Sequence, residues 1–413
     1  MRHDVVGRAM RLIADGTVDR EGVNGLAGHL GYSARQIERH LIAEVGAGPL
    51  ALARAQRAQT ARLLIETTAL PFIEVAFASG FSSVRQFNDT VRSVFDATPT
   101  GLRARVQRGA SAALPGALTF RLPYRAPFSP ESLFGHLTAT AIPGCEEYRD
   151  GAYRRTLRLP AGNSIVALSP TPEHVLCQLA LDDIRDLPTA IARCRRLLDL
   201  DSDPEAVVAS LVEDPALSAT VTKAPGRRVP GTVDEIELGV RIVLGQQVST
   251  SAARTHAARL VAQHGTPISD PGGGLTHLFP TIDNLASIDP SAFAVPKARQ
   301  RCLAALISAL ASGALQIGID ADWERARCQL NAIPGIGPWS IEMIAMRAMG
   351  DPDGFPVADM GVRKGAAALG LPGTAAKLAR RGLRWRPWRA YAVQYLWAAL
   401  EHPINQWPPS DQP

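Results

Sequence analysis

One pattern of apolar and turn residues occurs twice in this chain, and it limits the possible folds more than any other feature. Leu26, Ala27, Gly31 and Tyr32 return 49 residues later as Val75, Ala76, Gly80 and Phe81. Ile37, Leu41 and Pro49 return 50 residues later as Phe87, Val91 and Pro99. Each copy reads as an apolar helix, a Gly turn, a Ser-started second helix with polar residues outward, and a Pro exit. The glycine permits the tight turn, and Ser33 in the first copy and Ser82 in the second stand where a helix cap is wanted. Between the copies, ALARAQRAQTARLLIETT has strong helix propensity and can set the spacing of two units. Residues 1–108 are therefore expected to be all-α, with two helix-turn-helix units whose second helices can enter a major groove.

At 413 residues the chain predicts two to three domains, and 46% hydrophobic content with mean hydropathy near zero is ordinary for folded, water-soluble modules. No run of eighteen apolar residues occurs, and the charged MRHDVVGRAM start has no signal pattern, so neither a membrane span nor secretion is expected. The five cysteines, Cys145, Cys177, Cys194, Cys302 and Cys328, lie far apart without a CxxC pair. That excludes a cysteine framework for zinc or an iron–sulfur cluster and suits reduced cytoplasmic thiols. Arginine outnumbers lysine 40 to 4, a skew that a G+C-rich bacterial genome produces.

Charge is informative when divided along the chain. Residues 1–108 carry 14 Arg against 10 acids, residues 117–222 carry 10 against 14, and residues 223–413 carry 20 basic residues against 15 acids. Two basic blocks thus flank an acidic one, which permits nucleic-acid binding at both ends. The charge-free GASAALPG at 109–116 reads as a linker.

Residues 20–105 resemble the DNA-binding domain of the AraC family, most clearly in EVAFASGFSSVRQFNDTVRSVFDATPTGLR. The resemblance implies that Ser33, Ala34, Arg35, Gln36 and Arg39 read DNA in the first unit, and Ser83, Val84, Arg85, Gln86 and Asn88 in the second. Arg and Gln side chains can make bidentate contacts to guanine and adenine edges.

From 117 to about 185 the pattern becomes alternating, in LTFRLPYR, GAYRRTLRLP, NSIVALSP and HVLCQLALDD, and LPTAIARCRRLLDLD follows as a helix. An α+β domain with an antiparallel sheet is expected over 117–229. An all-α domain is expected over 230–413, with EIELGVRIVLGQQVSTSAARTHAARLVAQHG as its clearest long amphipathic run.

Within that last block, Pro334, Gly335, Ile336 and Gly337 in LNAIPGIGPWSIEMIAMRAMG form a hairpin between two helices. Glycines there let backbone amides at a helix N-terminus approach a phosphate, which makes the hairpin a DNA-backbone clamp. Asp359 follows in FPVADMGVRKG, an acid among apolar residues beside a basic run. Hairpin, acid and the GQQVS and RWRPWRAYAVQYLW segments together resemble the helix-hairpin-helix glycosylase superfamily, and within it the AlkA-type 3-methyladenine DNA glycosylases. The likeness covers about 295 residues.

The resemblance implies that Asp359 is the catalytic acid; read by itself, the residue would also suit a helix cap. It implies that Trp339 and Trp397 wall an aromatic base pocket, with Met343 and His136 at further pocket positions where the family has aromatic residues. Those two departures leave the range of excised bases open. Gln247 stands where the family has a leucine wedge, so hydrogen bonding to the orphaned partner base is expected to replace apolar insertion. Superfamily members that cut the strand carry a lysine where this chain has Trp339, so a monofunctional enzyme is expected. No dedicated cofactor is expected, although the family's hairpin can hold an alkali-metal ion through carbonyls that map to Asn331, Ile333 and Ile336.

The chemistry follows from charge. Breaking an N-glycosidic bond develops positive charge on deoxyribose that a carboxylate can stabilise, and a purine alkylated at N3 or N7 is itself a cation that an aromatic pocket favours. An AraC-type reader joined to an AlkA-type glycosylase resembles the adaptive-response proteins. This chain has no cysteine before Cys145, so the four-cysteine domain that such proteins carry at the N-terminus is not expected in it. The expected protein is a cytoplasmic, nucleoid-associated monomer acting on double-stranded DNA, with RNA polymerase as a promoter partner. The competing expectations are a transcription regulator that uses the glycosylase fold only to bind damage, and a glycosylase for a different lesion such as oxidised or deaminated bases.

Overall fold

The computed structural model describes residues 2–104 and 117–408, so the expected linker at 109–116 lies outside the described residues. By internal contacts the chain divides into two units: Met1–Leu122 with Thr156–Cys194, and Pro123–Arg155 with Arg195–Pro413.

Among the described residues the first unit opens with seven helices: α1 (Arg2–Ala14), α2 (Thr17–Leu30), α3 (Ala34–Val45), α4 (Pro49–Thr67), α5 (Phe72–Ala78), α6 (Val84–Phe95) and α7 (Pro99–Ala104). The duplicated residues are the ones that hold each helix-turn-helix together. Leu26, Ala27, Ile37 and Leu41 are buried, as are Val75, Ala76, Phe87 and Val91. Gly31 and Gly80 both adopt left-handed φ, +73° and +83°, a conformation that a Cβ would disfavour. In both copies the next residue reaches back across the turn by the same bond, Tyr32 N–H to the Ala27 carbonyl and Phe81 N–H to the Ala76 carbonyl, each at 3.0 Å.

The change of offset from 49 to 50 has a local cause. Ser33 caps α3 through a reciprocal box with Gln36, whereas α6 is capped by Ser83 and not by Ser82. Ser82 is the extra residue in the second turn, and its hydroxyl instead donates to Gln86 at 3.0 Å. The serine expected to cap the second helix is thus displaced by one.

A five-stranded antiparallel-type sheet follows in the order β1-β5-β4-β3-β2, built from β1 (Leu118–Pro123), β2 (Glu146–Arg149), β3 (Ala152–Arg158), β4 (Asn163–Pro170) and β5 (His174–Leu181). β2 pairs antiparallel with β3, and β4 with β5. Strand β2 carries no alternation and escaped the sequence reading. β1 and β5 alternate as expected, but the centres of β3 and β4 are buried at every position. Burying Arg154 and Arg155 within β3 requires partners. Arg154 pairs with Asp270 at 2.8 Å and with Glu147, and Arg155 pairs with Glu146 at 3.0 Å and Glu237 at 2.8 Å.

The second unit is mainly helical. Its helices include α8 (Glu131–Ala139), and beyond α9 (Leu187–Leu197) it continues with α10 (Pro204–Leu211), α11 (Pro215–Lys223), α12 (Glu235–Leu244) and α13 (Thr250–His264). α14 (Ile282–Ala286), α15 (Lys297–Ala311), α16 (Trp323–Asn331), α17 (Pro338–Arg347), α18 (Met360–Ala368), α19 (Ala375–Gly382) and α20 (Arg389–Ala398) complete it. The long amphipathic run expected from 235 is two helices, broken at the GQQVS segment. Gln247 there takes a left-handed φ of +54°, and Ser249 caps the restart by accepting the Ala252 N–H. A continuous apolar core runs from Ile142 through α12, α15 and α17 to α20.

Candidate active site and DNA-reading helices

The expected hairpin joins α16 to α17. Gly335 has φ +93°, Pro334 and Gly335 are exposed, and Ile333 and Ile336 are buried beneath them. Pro338 starts α17 without needing an N–H, so the hairpin leaves its outer backbone open. The Ile333 carbonyl accepts the Ile336 N–H at 3.1 Å.

A cavity of about 520 Å³ lies in this unit, a size that accommodates a single base. His136, Trp339, Met343, Asp359 and Trp397, five positions drawn from α8, α17, α20 and the start of α18, all line it. Asp359 is partly buried and takes three hydrogen bonds. Trp397 Nε1 donates to Oδ1 and Trp339 Nε1 to Oδ2, each at 2.9 Å, and the Val362 N–H donates to Oδ1 at 2.8 Å. Asp359 is therefore the N-cap of α18 and a carboxylate on the cavity wall at once. Gly361 makes the arrangement possible: a Cβ there would stand 3.0 Å from Asp359 Oδ1 and 3.1 Å from Trp397 Nε1.

Gln247 is exposed at the break between α12 and α13, while Gly245, Val248 and Ser249 around it line the cavity. Its neighbour Gln246, which the sequence reading passed over, ties this break to the hairpin. Gln246 Nε2 donates to the Gly335 carbonyl at 3.0 Å and to Ser340 Oγ at 2.9 Å, and Arg299 donates to the Gln246 carbonyl. Arg241 and Arg347 also line the cavity and were likewise unforeseen. The spacing of Arg347 was legible, since Trp339, Met343 and Arg347 recur every four residues along α17.

Charge around the cavity is set by burial. Burial holds the His136 imidazole well below its ordinary range, and Arg347 and Arg241 push it further, so the ring is neutral at pH 7. Burial presses the Glu146 carboxyl upward, but Arg241, Arg155, the Tyr153 hydroxyl and the Ile142 amide more than reverse it and leave it at about 2. Among the described residues no cluster of His, Cys, Asp and Glu could hold a metal ion, and no helix is long and apolar enough to cross a membrane.

In the first unit, Ser33, Arg35, Gln36 and Arg39 on α3 and Ser83, Arg85 and Gln86 on α6 are exposed, with Ala34, Val84 and Asn88 partly so. Their helices bury the opposite face through Ile37, Leu41, Phe87 and Val91. Two expected readers are already engaged. Gln36 Oε1 accepts from Ser33 N and Oγ, and Gln86 Oε1 accepts from Ser82 Oγ. A bidentate adenine contact needs both the oxygen and the nitrogen of an amide, whereas the expected readers Arg35, Arg39 and Arg85 are exposed, Arg85 lying 4.0 Å from Asp89.

A family model described as the AlkA N-terminal domain matches residues 119–234, and one described as a helix-turn-helix domain matches residues 26–105. Over 414 aligned residues the chain is 64% identical to the probable bifunctional transcriptional activator/DNA repair enzyme AlkA of Mycobacterium tuberculosis, covering 100% of this chain and 84% of that protein. The chain belongs to the AlkA family. It carries the family's AraC-type helix-turn-helix form of the protein, and it is 31% identical over 285 residues to DNA-3-methyladenine glycosylase 2 of Escherichia coli, which spans 67% of this chain and 96% of that one. The AlkA fold is also seen in the 3-methyladenine DNA-glycosylase of Archaeoglobus fulgidus, with a TM-score of 0.57 at 18% identity over 67% of this chain and 97% of that one. The alignment with the Mycobacterium tuberculosis protein thus runs through all the residues that form the cavity and the hairpin.

Proposed function

We propose that this chain is a monofunctional DNA glycosylase that releases alkylated purines of the 3-methyladenine and 7-methylguanine class from double-stranded DNA, with an attached sequence-specific DNA-binding module. The observation that carries the reading is the carboxylate of Asp359, fixed between two indole N–H groups on the wall of a base-sized cavity.

The target nucleotide leaves the stack and enters the cavity, and Gln247 fills the gap it vacates. The N-glycosidic bond then breaks with its electron pair going to the base, whose alkylation charge is thereby neutralised. Asp359 stabilises the positive charge left on the sugar, and water adds at C1′ and gives up a proton. Trp339 stands where an amine nucleophile would be needed, so the product is an abasic site and the strand remains whole. The hairpin Pro334, Gly335, Ile336 and Gly337 presents the Gly335 and Gly337 N–H groups to the DNA backbone, with the Ile336 N–H turned inward to the Ile333 carbonyl. The neutral carbonyls of Asn331, Ile333 and Ile336 suit an alkali-metal ion, which would supply positive charge toward a phosphate there.

The domain division follows the same logic: a reading module over 1–108, a linker at 109–116, an AlkA N-terminal-like domain over 117–229, and the glycosylase domain over 230–413. Partners beyond DNA would be RNA polymerase at promoters. The protein would act as a monomer in the bacterial cytoplasm, on the nucleoid. Base release from methylated duplex DNA, with unmodified duplex as control, tests the reading. Asp359→Asn should nearly abolish release while DNA binding persists, and unchanged release would defeat the assignment.

A further inference from the structure

The cavity has a polarity that the catalytic assignment leaves unused. Trp339, Met343 and Arg347 line it at successive four-residue steps of α17, so Arg347 lies about 12 Å along the helix axis from the tryptophan that holds Asp359. Arg347 Nε donates to the Pro230 carbonyl at 2.9 Å. Among the described residues its other guanidinium N–H groups have no acceptor, and no carboxylate forms an ion pair with it.

The acids nearest in charge are already spent. Glu146 pairs with Arg155 at 3.0 Å and Arg241 at 3.0 Å, and Glu237 pairs with the same two arginines at 2.8 and 2.7 Å. Two carboxylates and two guanidiniums balance, which leaves Arg347 as a surplus cation on the cavity wall. Burial lowers it to about 10, with Arg241 adding to the effect, so it remains charged at neutral pH. His136, near enough to feel that charge, has an Nε2 that is buried and has no hydrogen-bond partner. A half-buried guanidinium with spare N–H groups and a buried ring nitrogen without a partner leave this wall of the cavity with polar groups that an entering base can satisfy.

The two main classes of alkylated purine differ in how they would meet this polarity. In guanine alkylated at N7 the positive charge sits on the five-membered ring that bears the glycosidic bond, and a carbonyl oxygen projects from the far ring. In adenine alkylated at N3 the charge is shared with an exocyclic amino group at that far edge. With the sugar held at Asp359, the first presents an acceptor to the distant wall and the second presents partial positive charge.

Building on the glycosylase reading above, we propose that Arg347 donates to the C6 carbonyl of the extruded base, and that the cavity accordingly prefers N7-alkylated guanine to N3-alkylated adenine. Methylated duplex DNA contains both bases, so one single-turnover experiment with the full chain reads both rates. Arg347→Met should lower 7-methylguanine release roughly ten- to hundredfold, the size expected for a charged hydrogen bond, while 3-methyladenine release changes by less than about threefold. Free 7-methylguanine should also inhibit the unsubstituted protein more strongly than free 3-methyladenine, and that difference should vanish in the variant.

Equal loss of both bases would overturn the proposal and assign Arg347 to scaffolding through Pro230, and undiminished 7-methylguanine release would overturn it as well. Arg347→Lys keeps the charge and a donor, so it should retain 3-methyladenine release and lose 7-methylguanine release to a smaller degree. That variant keeps the test decisive if the Met variant does not fold. Release of neither base by the unsubstituted protein would defeat the glycosylase reading, whereas tighter binding of free 7-methylguanine than of 3-methyladenine, lost in Arg347→Met, would still support the role of Arg347.

Discussion

Trp397 donates its indole N–H to Oδ1 of Asp359 at 2.9 Å across 38 residues of chain. Trp339 does the same to Oδ2, so the two rings that wall the cavity also orient its carboxylate. Trp397→Phe and Trp339→Phe keep an aromatic face and remove one donor each. A hydrogen bond to a charged group is worth about 1.5–3 kcal/mol, so each variant should slow single-turnover base release by roughly tenfold or more. Binding to undamaged duplex should be unchanged. Full activity in both variants would mean that the rings serve the base alone.

Chemistry after base release is open to a direct trap. With Trp339 at the start of α17, where a lysine nucleophile would stand, borohydride should capture no covalent protein–DNA complex during turnover on methylated duplex. A stable adduct on a denaturing gel would show that another amine attacks the sugar.

The first unit should read sequence. Arg35 and Arg85 are exposed in the first turns of α3 and α6, and selection from random duplexes should return two short blocks about one helical turn, roughly 34 Å, apart. Arg35→Ala and Arg85→Ala should each relax preference at one block by about 1–3 kcal/mol and leave excision from short damaged duplexes intact. If both changes weaken all duplexes equally, the module is a non-specific electrostatic tether.

Acid should act through the buried ion-pair network. Glu146 sits at about 2 in the folded chain against an ordinary value of 4.5, because burial is outweighed by Arg241 and Arg155. A carboxyl depressed on folding adds stability that is fully present above its unfolded value and is lost as the pH falls toward the folded one. Its contribution should therefore hold above about pH 4.5 and decline between there and pH 2. In Glu146→Gln, denaturant midpoints should be lower near neutrality and should show a shallower acid slope. An unchanged slope would place the acid sensitivity elsewhere.

Some of this organisation was written in residue spacing. The repeat positions Leu26 to Pro49 and Val75 to Pro99 announced two helix-turn-helix units because local rules govern them: a glycine for a left-handed turn, apolar residues at helical intervals, a serine at a helix start. Even there, Ser82 stood where a cap was expected, and only the hydrogen bonds showed that Ser83 takes that place. The hairpin was equally local, since Pro334 to Gly337 can form little else between two helices.

What the sequence could not determine depended on contacts between residues far apart in the chain. The break at Gln247 interrupts an amphipathic pattern that continues on both sides, because tertiary packing through Gln246, Gly335 and Ser340 overrides helix propensity there. Strand β2 and the all-buried centre of β3 were hidden because Arg154 and Arg155 look like surface residues until Glu146, Glu237 and Asp270 neutralise them. The four-residue spacing of Trp339, Met343 and Arg347 put them on one face of α17 but did not say which acids that face would meet. Whether an arginine is solvated, paired or left over is decided by which carboxylates have already been claimed, and that is a property of the assembled fold.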